Sequence, residues 1–477
     1  MMKRTLIFFI CVTPLYMGCD EMEEQLPAQM AEGNPIGENE SDSTFINYRA
    51  LYSEHHTMSW EDAVNYAEES AKHCFGNNSN AALRSYAPRK VMNGKVLMRN
   101  GASLRSTANA IFPDTMAYVC NFADSAGFAI ICADDRVGCP ILACVDNGTL
   151  GDTVDNPGLS IFLENAQCFI EQSILKFEKE KDSLKMVAEE KLQRKITSKN
   201  SRLKKDLYKG SFTLWTSSEV KPLLPTTWGQ TGEPYDNLTL DCLSNKSLHA
   251  PAGCWATALA QMMAYYMFPN KVEYSDGSSM TIINLEWQNI LNKKNARNLP
   301  NNYKLQVSQL LYYIGKNVKM DYGCDGSGTN FSNVSSYMKN IGYTIGETQD
   351  YNFEIIKTLL DYKKPVIMTG YENRTNRFLG LIYTYSGGHA WIVDGYSTTI
   401  LQDYYYVTSS SEILFCEAIN TKYDNTLLHI NWGYAGIGDG YFAAGCFDIR
   451  SATSYDSSVP KDQANFRYKI KVQVIWR

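Results

Sequence analysis

The sequence has no excess of positive charge: 45 Lys and Arg stand against 51 Asp and Glu, a formal net charge of -6. A nucleic-acid binder needs cations to neutralise phosphates, so composition argues against that class. Histidine is scarce, with six in 477 residues, and no two of the 13 cysteines form a Cys-x-x-Cys pair. That spacing speaks against a zinc ribbon or a thioredoxin-type site. Internal repeats and low-complexity tracts are absent. Beyond the N-terminus, no apolar run is long enough to span a bilayer as a helix. What remains is an ordinary globular balance, 44% hydrophobic and 20% charged, in a length that allows two or three domains. The 31 Tyr fit a Tyr-rich β region.

The first nineteen residues read as a targeting segment. Lys3 and Arg4 precede a short apolar stretch, Leu6 to Val12. Tyr16-Met17-Gly18-Cys19 then resembles a bacterial lipobox, with Cys19 as the acylated residue and Tyr16 where Leu is usual. The alternative is a plain secretory signal cleaved nearby. Either reading exports the chain, and a lipid on Cys19 is the one membrane contact expected. Residues 20–44 are polar and read as a tether.

Ser59 caps a predicted helix through Ala63, Tyr66 and Ala67. Residues 116–122 and 128–133 read as a hairpin, which would allow Cys120 and Cys132 to face each other and pair. A helix starts at Asn156-Pro157-Gly158 and runs to about Phe177. From Glu178 to Lys209 the chain is mostly Lys, Glu, Ser and Asp. This is either a solvated continuation of the helix or an exposed, protease-sensitive linker, and composition does not choose. After Pro225 the character changes: helical patterns at 254–267, 304–317 and 331–340 precede strand patterns at 364–369, 389–396, 403–408 and 426–432. Helices first and strands last argue for an α+β fold.

The sharpest segment is Pro251-Ala252-Gly253-Cys254-Trp255-Ala256-Thr257-Ala258. Gly253 permits a tight turn and a helix opens at Cys254, with Trp255, Ala258, Leu259, Met262, Met263 and Tyr266 as its one buried face. Amide N–H groups at a helix start favour a thiolate at Cys254, the nucleophilic form. Read alone, the residue is more often a buried core cysteine, which behaves as a small hydrophobe. A nucleophile needs a base. His389 follows Gly387-Gly388, which let a substrate approach, and precedes an apolar strand. His429, the other strand histidine, reads as a structural, hydrogen-bonded residue. Asn431 offers an amide oxygen to set a histidine tautomer, and Trp432 an indole to shield that bond.

In this order the motifs resemble the papain clan and, in flanking detail, the streptopain family of bacterial secreted cysteine proteases. The matching residues include Leu223 to Gln230 with Pro234-Tyr235, Gly253 to Ala258 with Gln261, and Met320-Asp321-Tyr322-Gly323. Gly388-His389-Ala390 with Asp394-Gly395, and Asn431-Trp432-Gly433 with Asp439-Gly440, complete the set. The resemblance covers roughly 220–477. It extends more weakly to 45–175, where Tyr118 to Phe122 and Gly127 to Ile131 resemble that family's inhibitory prodomain. It implies a papain-like catalytic domain over 220–477, an α+β prodomain over 45–177 and a charged processing linker over 178–219. Cys254 would be the nucleophile and His389 the general base and acid. Gln230 would line the oxyanion hole with the Cys254 amide, Trp432 would pack over the histidine and Asn431 would orient it. Gly326, Ser327, Gly328 and Gly388 would flank the substrate. Two departures stand out: Tyr434 replaces a usual Trp, and Cys324 intrudes in the Met-Asp-Tyr-Gly loop as a redox-sensitive residue.

The expectation is an exported cysteine endopeptidase made as a zymogen, with protein or peptide as substrate, its own N-terminal segment as inhibitor, and no metal or organic cofactor. Two rivals remain: a cell-wall amidase or transglutaminase-like acyl transferase, and a surface lipoprotein that uses the fold as a binding module.

Overall fold

The computed structural model describes residues 46–76, 89–98, 111–197, 206–242, 245–377, 382–408, 416–448 and 470–477. The candidate lipidation residue Cys19 and the 20–44 tether lie outside the described residues.

Helix α1 (Trp60–Gly76) starts where Ser59 Oγ accepts the Asp62 N–H at 3.1 Å. Its Ala63, Tyr66, Ala67 and Ala71 are buried against strands β3 (Phe128–Cys132) and β4 (Ile141–Val145). Strands β1 (Val91–Met98) and β2 (Thr115–Phe122) continue that sheet. The expected hairpin is β2 and β3, but its register puts Cys120 opposite Ala129 and Cys132 opposite Ala117. The two cysteines are therefore three positions out of step, and both are buried free thiols. Among the described residues the disulfide that forms is Cys242–Cys324, across 82 residues of sequence.

Helix α2 (Pro157–Thr197), 41 residues long, carries the charged stretch as helix from Glu178 as far as Thr197. Its first part buries Leu159, Ile161, Phe162, Ile170 and Ile174 in the main core. Its outer part keeps an apolar stripe, Leu184, Val187 and Ala188, which is covered by Ile46, Tyr48, Ala50 and Leu51. Lys and Glu dominate the composition there because only one face of that turn of helix needs to be apolar. Strand β5 (Asp206–Val220) follows, pairing with a later strand.

In the second half, helix α3 (Cys254–Tyr266) packs on helix α4 (Asn301–Asn317), and helix α5 (Phe331–Asn340) joins the same core. Contrary to a one-faced helix, every residue of α3 from Trp255 to Ala264 is buried. The reason is its place between the helical layer and the sheet, where Ile367 and Ile392 close the other side. Strands β6 (Val366–Arg377), β7 (Ile382–Thr408), β8 (Cys416–Asn431), β9 (Gly440–Ala443) and β10 (Lys471–Gln473) complete the sheet. The patterns at 389–396 and 403–408 are parts of one strand, β7, which pairs with β6 near its start and with β5 farther along.

Among the described residues the largest sheet has eleven strands, ordered β1-β2-β3-β4-β9-β8-β7-β6-β10 and ending on Gln349–Asp350, with β5 beside β7. The β4–β9 pairing, Val145 opposite Gly440 and Ala143 opposite Phe442, joins the N-terminal strands to those of the second half. Phe162 of α2 meets Phe442 edge-on at 4.8 Å, so the two halves share a core as well as a sheet. The fold is α+β, with helices segregated from a mainly antiparallel sheet. Among the described residues, no helix is long and apolar enough to cross a membrane.

Candidate active site

The turn before α3 is built around Gly253, at φ 96°. A Cβ there would stand 2.8 Å from Met320 Cε and 3.2 Å from the Ser327 carbonyl oxygen, so no other residue type fits this backbone without displacement. Ala252 N–H donates to the Gln230 carbonyl at 2.8 Å. That bond ties the Gln230 segment to the turn that presents Cys254, and Gln230 itself is buried. Thr257 Oγ1 donates to the Gly253 carbonyl at 3.2 Å and lies the same distance from that of Gly229, fixing the first turn of the helix.

The amides of Ala390, Trp255 and Cys254 point at the Cys254 sulfur and favour its thiolate, as a helix start should. Burial outweighs them, so the pKa lies above the ordinary thiol value. The expected thiolate preference is therefore present in the local geometry and overridden by desolvation. Full-length protein should accordingly alkylate at Cys254 slowly at neutral pH, the rate rising only above the ordinary thiol range. Iodoacetamide labelling against pH, read at the Cys254 peptide by mass spectrometry, measures this; fast labelling at pH 7 would contradict it.

His389 lies on β7 opposite Gly370 of β6 and is 3% exposed. Its Nε2 is 2.9 Å from the Trp432 carbonyl oxygen. A carbonyl only accepts, so Nε2 carries the proton and Nδ1 of the neutral ring keeps its lone pair, the form a general base needs. Burial pushes the imidazole down to about 4, partly opposed by the Trp432 bond. Trp432 is held in turn by Asp439, whose Oδ1 accepts the Trp432 N–H at 2.8 Å. Burial first, then the nearby Asp146 and Asp394, raise Asp439 to about 8, against the lowering effects of that N–H and of His429.

Asn431, expected to orient the histidine, spends its amide elsewhere. It donates to the Thr226 carbonyl at 3.0 Å, exchanges bonds with Gln261, and accepts the Gly433 N–H at 3.1 Å. The contact expected of its side chain belongs here to the backbone carbonyl of the next residue. Gln261 Oε1 also accepts from Trp228 N–H at 2.9 Å and Thr226 Oγ1 at 3.1 Å, so this one amide joins α3, the 226–228 segment and the end of β8. Gln261 appears in the motif, but nothing in its type announced this stapling role.

Trp432 is fully buried and meets Trp391 at 5.3 Å. Tyr434, the departure from the usual Trp, stands edge-on to His389 at 5.8 Å. His429 is structural: its Nδ1 is 2.6 Å from Asp394 Oδ1, and Tyr441 faces it at 5.0 Å. Gly326 and Gly328 are exposed, as is Gly388, which is paired with Tyr371. Ser327 is half-buried, with its Oγ lacking a hydrogen-bond partner among the described residues. Among those residues, Cys254 and His389 share no hydrogen bond; the amide of Ala390 links them through the backbone.

The residue that sequence reasoning missed is Gly158, at the start of α2. A Cβ at that position would stand 2.3 Å from Trp432 Cε3 and 2.8 Å from His389 Cδ2. The N-terminal half of the chain therefore presses backbone directly on the candidate base. Pro-Gly at a helix start is an ordinary signal, so its sequence carries no hint of this partner.

The Peptidase C10 family model matches residues 228–442. Streptopain of Streptococcus pyogenes is 28% identical over 221 residues, covering 41% of this chain and 46% of the relative. The chain thus spans about half the length of the curated relatives it matches. Among solved structures, a prointerpain A fragment of Prevotella intermedia is 21% identical, with TM-score 0.43 over 76% of this chain and 96% of that one. Interpain A of the same organism is 23% identical, with TM-score 0.32 over 54% of this chain and 95% of that one.

Proposed function

We propose that the chain, whose residues 228–442 match the Peptidase C10 family model, is an exported cysteine endopeptidase made as a zymogen. The observation that carries the chemistry is Cys254 at a helix start with three amides on its sulfur, in a chain whose His389 is fixed with a free Nδ1. In the working state His389 takes the Cys254 proton. The thiolate attacks a peptide carbonyl, and the oxyanion is held by the Cys254 amide and Gln230. The imidazolium then protonates the leaving amine, and water hydrolyses the thioester with His389 again as base. A peptidyl epoxide should label Cys254 and block hydrolysis of an unstructured protein. Absence of label on processed protein would favour the binding-module alternative.

Gly158 packed on His389 and Trp432 carries the zymogen reading. In that packing both members of the pair sit in their neutral forms, thiol and imidazole, so attack is disfavoured. Release of the N-terminal half would rehydrate them. Helix α2 ends at Thr197 and β5 begins at Asp206, so a cut between the two leaves both elements intact, within the segment from Glu178 to Lys221 proposed for processing. Gly158→Val should overpack this contact by about 1–3 kcal/mol and speed processing of the full chain roughly tenfold or more. The time course and the cut are read by gel and mass spectrometry; an unchanged rate would remove the zymogen claim. Lipid attachment at Cys19 belongs to the same proposal, and metabolic labelling with a fatty acid, lost in Cys19→Ala, tests it.

A further inference from the structure

The Cys242–Cys324 disulfide joins two loops that meet at the nucleophile turn. The first carries Asp241–Cys242 and Asn245–His249, a short antiparallel pair closed by Asp241 opposite His249. It leads directly into Ala250, whose N–H donates to the Leu240 carbonyl at 2.8 Å, and then into Ala252-Gly253-Cys254. The second is the 321–328 hairpin, closed by reciprocal backbone bonds between Asp321 and Gly328 at 2.8 and 3.0 Å and turned at its tip by Gly326 N–H to the Gly323 carbonyl at 3.1 Å. Cys324 sits at that tip and is exposed, whereas Cys242 is buried. The base of the hairpin already lies on the turn, through Ser327 and Met320 against Gly253. Beyond the main chain and the hairpin's own hydrogen bonds, the bridge is the cross-link that ties the exposed tip residues, Cys324, Asp325 and Gly326, to the 241–249 loop.

We propose that the Cys242–Cys324 bridge is a redox-sensitive clamp that positions the 321–328 hairpin as a wall for an extended peptide substrate. The inference rests on the peptidase reading above. Both backbone groups of Gly328 are spent on Asp321 and the Gly326 N–H on Gly323, so the exposed tip presents the Gly326 carbonyl to a peptide, and glycines lose the most conformational freedom when they are ordered. The clamp removes that freedom beforehand, so a peptide meets a preorganised edge. Such binding is felt equally in the ground and transition states, so its loss raises KM and leaves kcat in place. Cys242 and Cys324 are thus positioning residues and take no part in the acyl transfer.

The bridge opens by thiol exchange. A thiolate of an added dithiol attacks the exposed Cys324 sulfur, the S–S bond breaks, and Cys242 leaves as a thiolate that takes a proton. The second thiol of the reagent then displaces Cys324, leaving two protein thiols and the oxidised, cyclic reagent. Exposure of Cys324 and burial of Cys242 make Cys324 the point of attack.

The test uses the full chain, carried through its own processing. One substrate is an eight-residue peptide that spans the cleft; the other is a short fluorogenic dipeptide. A low concentration of monothiol keeps Cys254 reduced, and iodoacetamide mapping reports the state of Cys242 and Cys324. Reduction with dithiothreitol should raise KM for the long peptide roughly tenfold, with kcat within about twofold, and leave the dipeptide unaffected. The Cys242→Ser/Cys324→Ser variant should start at the raised KM and not respond to dithiothreitol. Unchanged KM for the long peptide in both experiments would overturn the proposal. So would a fall in kcat on both substrates alike, since that is the mark of a general fold staple. If the parent protein hydrolyses neither peptide, the peptidase reading falls and takes this inference with it; an active parent with an insensitive KM defeats the clamp alone.

Discussion

Cys254→Ala is expected to lower hydrolysis of an unstructured protein by roughly 10^4-fold or more, because the covalent step has no other nucleophile at the α3 turn. The same change should leave the fold in place. It removes one heavy atom at the first residue of a helix whose hold comes from Trp255 to Ala264, all buried, and from the Gly253 turn packed on Met320 and Ser327. A loss of about 1 kcal/mol, the scale of a buried methyl-sized group, is the expected cost. Steady-state kinetics with thermal unfolding on the same preparation checks both halves. Hydrolysis that survives in the purified variant would remove Cys254 from the mechanism.

For histidine, the expectation is a sharp asymmetry. His389→Ala should fall within about tenfold of the Cys254→Ala loss, because nucleophile and base act as a unit. His389 alone has its Nε2 bound to a backbone carbonyl and its Nδ1 left for a proton. His429→Ala should keep kcat within about tenfold per folded molecule but lose about 3 kcal/mol of stability, since the buried Asp394 carboxylate loses its charged partner at Oδ1 and keeps only the Leu224 N–H at Oδ2. Burial lowers the His429 pKa, yet the charge and hydrogen bond of Asp394, with Asp146 and Asp439, outweigh it and raise the value above 6.5. A raised histidine pKa stabilises fully below the unfolded value and less as pH rises through the folded one. The stability deficit of His429→Ala should therefore shrink toward alkaline pH, as followed by denaturant unfolding. An inactive, stable His429→Ala beside an active His389→Ala would reverse the assignment.

Much of the fold was legible where short-range pattern decides it. The capped helix after Ser59, the β2–β3 hairpin, the helix that opens at Cys254 and the strand that carries His389 all follow from periodicity, caps and turn residues. Legibility ended where one element needed another to settle it. The Glu178 to Thr197 stretch is helix because residues 46–51 cover its narrow apolar stripe, a partner more than a hundred residues away. The α3 pattern looks one-faced in sequence because Ala256, Thr257 and Ala260 are neutral residues; they are buried by being pressed between two layers.

The residue types alone determined which groups are available for chemistry: a cysteine at a glycine-led helix start, a histidine behind two glycines, and an Asn-Trp-Gly run after a strand. Only the tertiary structure decided how those groups stand. The acceptor for His389 is a backbone carbonyl, which every residue has and no sequence can single out. Cysteine pairing followed register and loop proximity, so Cys120 and Cys132 missed each other by three positions while Cys242 found Cys324. Gly158 meets His389 only because α2 and β7 fold onto one core. The physical reason is common to all three: local propensity is set within a few residues, whereas desolvation and long-range pairing are properties of the packed chain, and at Cys254 desolvation reverses the local preference.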